Sequence, residues 1–216
     1  MNAPWSHTSL TQFRNCPKAY YHKYVAKDLP FVQTPEMLRG IAVHEALEAR
    51  LAERAPLPED MAAYEKYAVA LLARGGIAGV EMKMAVTVRG TPTPYWAGDV
   101  WGRGKADVVV VKGHNAFILD WKTGKRREDP SELDTFAYLL KALLPGLVQI
   151  RGAYIWLKED QVGETHALDP RRAYHTIAGT VASIEDCEER GVWAPTPSGL
   201  CPWCPVTTCQ HWREKK

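Results

Sequence analysis

Two aspartates and a lysine near the middle of the chain have the types and spacing for metal-assisted chemistry on phosphate esters. Lys105 to Val111 and Ala116 to Lys122 are rich in β-branched residues and are separated by Lys112-Gly-His-Asn115. Gly113 suits the first central position of a tight turn, so the pattern predicts a β-hairpin in which Asp107 stands opposite Asp120. Facing residues on an antiparallel ladder have Cβ atoms about 4.5–5.5 Å apart and share a face. Two carboxylates held that close repel each other, a cost that a bound divalent cation removes. The period of two adds Lys122 and Ile118 to the Asp120 face. Oxygen ligands of this kind suit Mg²⁺ or Mn²⁺, which polarise a phosphodiester and lower the pKa of bound water. Lys122 is placed to stabilise negative charge on the pentacovalent phosphorus or to orient the attacking water. For the hairpin alone, an exposed strand face carrying an Asp–Lys ion pair is the plainer reading.

The five cysteines form a second constellation, with Cys16 near the start, Cys187 in a helical segment, and Cys201, Cys204 and Cys209 within nine residues of one another. In a reducing cytosol they serve metal binding or simple burial rather than disulfides. Cys201-Pro-Trp-Cys204 with Cys209 can converge on one centre, but Zn²⁺ or an Fe–S cluster normally takes four ligands. Cys187 follows Ala173, Ile177, Thr180 and Ile184 at helical spacing, in a helix opened by Asp169-Pro170 and closed by Gly191. It reads as a small buried hydrophobe. That leaves Cys16, across almost the whole chain.

These residues must be held by a modest set of elements. Ser9 with Gln12 resembles a capping box opening a first helix, with Leu10, Phe13, Tyr20 and Tyr24 as apolar faces around Cys16-Pro17. A second helix is expected after Gly40, with His44, Leu47, Glu48 and Leu51 on one side, and a third over 59–74, ended by Gly75-Gly76. A strand is expected over 80–88, then the hairpin, a helix over 131–144 stopped by Pro145-Gly146, and a strand over 148–157. Taken without further context His44 reads as a core histidine. Trp96, Trp101 and Trp203 read as core or cluster-shielding residues, with stacking on unpaired bases the alternative.

Composition bounds the rest. The chain's 216 residues suffice for one well-packed domain. With 46% hydrophobic and 24% charged residues it is neither disordered nor collagen-like. A net charge of +2 neither demands nor excludes a nucleic-acid partner. No apolar run is long enough for a membrane span and the first residues lack signal-peptide features, so a cytoplasmic protein is expected.

Asp107 followed by Asp120-Trp-Lys-Thr-Gly-Lys125 resembles the second and third motifs of PD-(D/E)XK nucleases, in the RecB-type branch. Three further segments agree in order. Ser9-Leu-Thr-Gln-Phe-Arg-Asn-Cys-Pro17, with Tyr20 and Tyr24, is similar to the N-terminal segment of the iron–sulfur members. Arg39-Gly-Ile-Ala-Val-His-Glu-Ala-Leu-Glu48 is similar to their first motif, whose histidine ligates metal. The stretch from Cys201 to Cys209 resembles their C-terminal cysteine cluster, found in CRISPR-associated and AddAB-type nucleases. The resemblance implies an α/β fold, a mixed central sheet flanked by helices with a restriction-endonuclease-like core, over residues 1–216 as a single nuclease domain. It implies that His44, Asp107 and Asp120 hold Mg²⁺ or Mn²⁺ with the backbone carbonyl of Trp121, and that Lys122 is the catalytic lysine. It also implies that Cys16, Cys201, Cys204 and Cys209, from segments of about 9–24 and 199–211, hold a [4Fe–4S] cluster, with Zn²⁺ the alternative at the same cysteines.

The expected function is hydrolysis of DNA phosphodiesters, with single-stranded DNA attacked from an end as the analogy favours. The setting would be recombination, repair or CRISPR adaptation, with a protein partner from those processes. A non-catalytic DNA-binding or scaffold subunit with an inert site is the alternative, opposed by the presence of His44, Asp107, Asp120 and Lys122 together. An electron-transfer protein leaves the hairpin carboxylates unexplained. One motif departs from the family, whose helix after the catalytic lysine often carries Gln-hydrophobic-x-x-Tyr. Here the best register reads Glu132-Leu-Asp-Thr-Phe136. Lys125, Arg126 and Arg127 directly follow the third motif and are placed to meet DNA phosphates, or to form a solvated turn.

Overall fold

The structure is a computed structural model that describes residues 4–214. The chain resolves into two compact units, one formed by the two chain ends, up to Val32 and from Tyr174 onward, and one spanning Gln33–Ala173. In the first, helix α1 (His7–Asn15) is capped by Ser6, whose hydroxyl accepts from the Ser9 amide while the Ser9 hydroxyl accepts from the Ser6 amide. The capping box is thus Ser6–Ser9 rather than Ser9–Gln12. The serine at the third helical position turns its hydroxyl back to the cap, a job usually left to Glu or Gln. Proline disfavours helical dihedrals in the residue before it, so Cys16 is extended (φ −166°) and α2 (Pro17–Tyr20) restarts with Pro17 in its first turn. A π-helical turn (Tyr21–Ala26) follows.

In the second unit, α3 (Pro35–Ala52) begins before Gly40, because Thr34 accepts from the Met37 amide and Pro35 supplies a preset φ. Gly40 is therefore interior, and His44 sits mid-helix, one residue after the buried Val43. A 3₁₀ turn (Glu59–Tyr64) leads into α4 (Glu65–Arg74), which Arg50 of α3 clamps through a forked contact to Glu65 at 2.6–2.9 Å. Gly75 and Gly76, both at positive φ, end the helical layer. Then come β1 (Ile77–Val86), β2 (Gly102–Lys112), β3 (Asn115–Lys122), α5 (Ser131–Leu143), β4 (Gln149–Trp156), and the short β5 (Gln161–Val162) and β6 (His166–Ala167).

Among the described residues these six strands form one mixed sheet. The order is β1-β2-β3-β4-β5, with β6 also on β4. β3 and β4 are parallel and joined through α5, while the other pairs are antiparallel. Val43, Leu47 and Leu51 of α3, with Ala68 and Leu71 of α4, form one apolar cluster with Val108, Val110, Leu119, Trp121 and Ile155. On the other side α5 approaches so closely that a Cβ at Gly104 would lie 2.9 Å from Leu139 and 3.1 Å from Phe136. The fold is therefore mixed α/β, a central mixed sheet flanked by helices.

The last helix, α6 (Pro170–Arg190), begins beside Asp169 and ends before Gly191, as its sequence signals predict. Val181 and Ile184 are buried and Cys187 is half-buried on the expected stripe. In the chain-end unit Trp193 stacks on Tyr20 at 5.8 Å, and Phe13 meets Tyr20 edge-on at 5.4 Å. A 3₁₀ turn (Cys201–Trp203) carries the Cys-x-x-Cys pair. Among the described residues no helix is long and apolar enough to cross a membrane.

Candidate active site

The hairpin forms in the expected register. Val108 pairs with Leu119 and Lys112 with Asn115 around the two-residue Gly113-His114 turn, with Gly113 at φ 59°. The ladder stops at Val108–Leu119, one position short of Asp107 and Asp120. There one oxygen of Asp107 accepts from the backbone amide of Trp121 at 2.7 Å, so this carboxylate closes the end of the hairpin.

The same position is irregular on β1. Glu81 has φ 48°, a conformation that is strained for a residue with a side chain. The β1–β2 ladder is regular from Met82–Ala106 to Val86–Gly102. Gly104 abuts α5 whereas Val108, four residues on, joins the α3–α4 cluster. Residues four apart share a face of an unbroken pleat, so the sheet turns over at Glu81 and Asp107. Both carboxylates are thereby aimed at His44.

The result is a tight donor group. His44 Nδ1 lies 3.2 Å from Asp107 Oδ1 and 3.5 Å from Glu81 Oε1, and one ligand atom from each of the three residues falls within 4.8 Å of the others. Beside them Asp120 Oδ2 is 2.6 Å from Lys122 Nζ, which is also 2.6 Å from Glu132 Oε2. Lys105 pairs with Glu81. Asp107, Asp120 and Glu81 are all buried.

Burial and the neighbouring charges compete in the electrostatics. Burial raises the carboxyl pKa of Asp107, and it raises that of Asp120 strongly, with the charge of Asp107 adding to it. Burial alone would lower His44, but hydrogen bonds to Asp107 and Glu81 overcome it and push the imidazole up to about 10. Burial likewise opposes the charge on Lys122, and the negative charges of Asp120 and Glu132 outweigh it, so its pKa is raised. Three buried carboxylates and Glu132 face three cationic side chains, His44, Lys105 and Lys122, so the cluster is short of positive charge. An imidazole and carboxylate oxygens are also the donor chemistry a hard divalent ion accepts, so the residues present fit such an ion.

His44, Asp107, Asp120 and Lys122 are thus brought together. Asp120, however, points at Lys122, and the third donor beside His44 and Asp107 is Glu81, which sequence reasoning missed. A count across the β1–β2 ladder would have found it, but the residues between those strands leave the register open. Glu132 contacts Lys122, and Phe136 of the departed motif is buried against Gly104 in the core. Arg126 is tied to Glu128 and Gln161, while Lys125 and Arg127 are exposed. Trp96, on the β1–β2 connection, is 73% exposed, against the expectation of core packing, and Trp101 is half-buried, while Trp203 is 62% exposed and lines the cysteine cavity.

In the chain-end unit Cys16, Cys201, Cys204 and Cys209 line one cavity of about 230 Å³, with Trp203 and Trp212 among its walls. Backbone amides of Thr196 and Ser198 donate to the sulfurs of Cys16 and Cys201 at 3.4 and 3.3 Å. Burial raises the Cys204 thiol, and the other three cysteines add to the shift. Among the described residues no three cysteine sulfurs come within 4.8 Å of one another.

The sequence matches the profile described as "PD-(D/E)XK nuclease superfamily" over residues 4–97 and 77–209. The chain belongs to this nuclease superfamily. Its fold is similar to that of a candidate exonuclease from Eubacterium rectale, with a TM-score of 0.58 and 13% identity over 99% of this chain and 89% of that one. It is also similar to the crystallised protein SSO0001, with a TM-score of 0.51 and 15% identity over 93% and 84% of the two chains. No protein of curated function matches the sequence. For a PD-(D/E)XK nuclease the His44, Glu81 and Asp107 group is the natural place for the divalent metal that this fold implies.

Proposed function

We propose that the protein is a Mg²⁺- or Mn²⁺-dependent deoxyribonuclease of the RecB-type branch, acting as an exonuclease on single-stranded DNA. The observation that carries this reading is the convergence of His44, Glu81 and Asp107 beside the Asp120–Lys122 pair. His44, Asp107 and Asp120, with the Trp121 carbonyl, hold the ion, and Glu81 joins them as a further donor. A divalent ion so held supplies Lewis-acid polarisation of the phosphodiester and a more acidic water. Lys122, kept protonated by Asp120 and Glu132, faces the reacting phosphate as a fixed positive charge and stabilises the extra negative charge of the pentacovalent state. Its raised pKa makes it an electrostatic partner rather than a general base. Glu132 takes the place of the missing family Gln by orienting that ammonium.

The four cysteines are proposed to hold a [4Fe–4S] cluster. Zn²⁺ at the same cysteines is the alternative, since four thiolates serve either centre. Amide donors aimed at the sulfurs suit a cluster's thiolates. The test is anaerobic purification, a visible spectrum, and digestion of end-labelled single- and double-stranded DNA with Mg²⁺, Mn²⁺ or EDTA. Metal-dependent shortening of the single strand from an end supports the reading. Intact DNA under every metal condition refutes it.

A further inference from the structure

Beyond the donor group, the β1–β2 half of the sheet carries a stripe of positive charge that ends in an exposed aromatic. The regular register places Lys83 opposite Lys105 and Ala85 opposite Arg103, and facing residues share a face. Lys105 is paired with Glu81, so the stripe begins at the donor group itself. Lys105 also lines an open pocket with Met37, Ile41, His44 and Glu81. At its far end the Arg103 guanidinium lies 5.1 Å from the Tyr95 ring centre and 4.5 Å from that of Trp96, and Lys83 is 6.0 Å from Tyr95. The two rings meet edge to face at 4.9 Å and 83°.

Trp96 is nevertheless 73% exposed. A tryptophan kept only for packing would bury its indole, but this one is held out by a pinned loop. The Thr93 amide donates to the Ala85 carbonyl at 3.1 Å, the Trp101 amide to Val86 at 2.8 Å, and Thr93 Oγ1 to Asp99 at 2.7 Å. Arg103 also donates to the Tyr95 carbonyl at 3.3 Å. The indole therefore loses little freedom when a flat ligand stacks on it. Arg103 and Asp107 are four residues apart on β2, about 14 Å at the usual rise per residue, a span of a few nucleotides.

We propose that Trp96, backed by Arg103 and Tyr95, is a stacking platform for an unpaired base of the strand whose phosphate lies at the donor group, with Lys83 meeting the intervening backbone. This assignment rests on the nuclease reading and adds to it where the single strand runs and why it must be unpaired. A duplex offers an indole only the face of its terminal pair, whereas every base of a single strand can turn a face to it, and stacking tolerates every base.

The test is binding in EDTA, where nothing is cut, read by anisotropy with a short labelled oligothymidylate and its abasic counterpart. Trp96→Ala should weaken oligothymidylate binding by about tenfold or more, and Trp96→Phe should keep most of the affinity. Loss of the bases should weaken wild type but leave Trp96→Ala nearly unchanged, a pattern that loosened packing would not produce. Lys83→Ala should lower the salt slope by about 0.7 while keeping the preference for bases. Equal binding of the two oligonucleotides by wild type, or equal sensitivity to base loss in wild type and Trp96→Ala, overturns the platform. Should wild type show this pattern yet cut no DNA in Mn²⁺, the platform stands and the nuclease reading falls.

Discussion

The donor group around His44 and the cysteine-lined cavity both gather side chains that can ligate metal, yet they are supported in opposite ways. His44, Glu81, Asp107 and Asp120 stand on a helix and three hydrogen-bonded strands, with Val43, Leu47, Val108 and Trp121 buried around them. Cys16 stands at a break between two short helices, and its companions lie on a tail whose regular structure is one 3₁₀ turn. In that tail Val206 is the apolar residue buried to 3%. The first site is therefore formed before any ion arrives, and an ion adds chemistry. In the second few apolar contacts oppose the entropy of the tail, so the proposed centre would supply much of the order.

The largest effect should come from the preformed site. Asp120→Ala should slow cleavage by more than about a hundredfold, since even outer partners of metal ligands are worth 10–100-fold. DNA binding should survive on phosphate contacts elsewhere. Single-turnover digestion and anisotropy report the two quantities, and wild-type cutting in Mn²⁺ would remove Asp120 from the site. The melting curve of this variant should stay close to that of wild type, which distinguishes the two regions.

Next comes the cavity. Cys16→Ser would open the proposed link across about 185 residues, worth on the order of 4–5 kcal/mol of chain entropy, or roughly 10 °C in melting temperature for a chain of this size. It should also lose iron, measured by absorbance and metal analysis, and Cys187→Ser should do far less of either. Equal losses in the two variants would break the contrast. A colourless wild type with stoichiometric zinc would keep the link and replace the cluster.

Glu81→Gln should have an intermediate effect. It keeps the shape of the side chain but removes the charge shared by His44 and Lys105. Mn²⁺ affinity by calorimetry should fall about tenfold, the low end for perturbing a metal site, with the fold intact by circular dichroism. Unchanged affinity would make Glu81 a structural partner only. The smallest effect should follow Gly113→Ala, which forces a side chain into the left-handed region at φ 59° for about 1–2 kcal/mol. Melting should drop by a few degrees while the cleavage rate of the folded protein holds. A lost rate would mean that the turn reaches the site.

Much of this was legible in the residues because it depends on local rules. A two-residue turn and the period of two aligned Asp107, Asp120 and Lys122, and Asp169-Pro170 with Gly191 bounded the last helix. The helix before the hairpin was harder to bound, because Gly40 signals a boundary in isolation while Thr34 and Pro35 start the helix earlier. Glu132 was visible as a departure from the family motif, but its contact to Lys122 was not, since ten residues of chain separate them.

By itself, then, the sequence determined the hairpin register, the cysteine set and the approximate order of helices and strands, all set by hydrogen bonds and dihedral preferences a few residues in range. Tertiary structure alone decided that Glu81 joins the group at His44, that Phe136 is core, and that Trp96 faces solvent above Arg103. Each of these depends on how β1 closes onto β2 and how α5 packs on the sheet. Long-range pairing of that kind is settled by the burial of whole faces and the entropy of closing the loops between them, which no local spacing records.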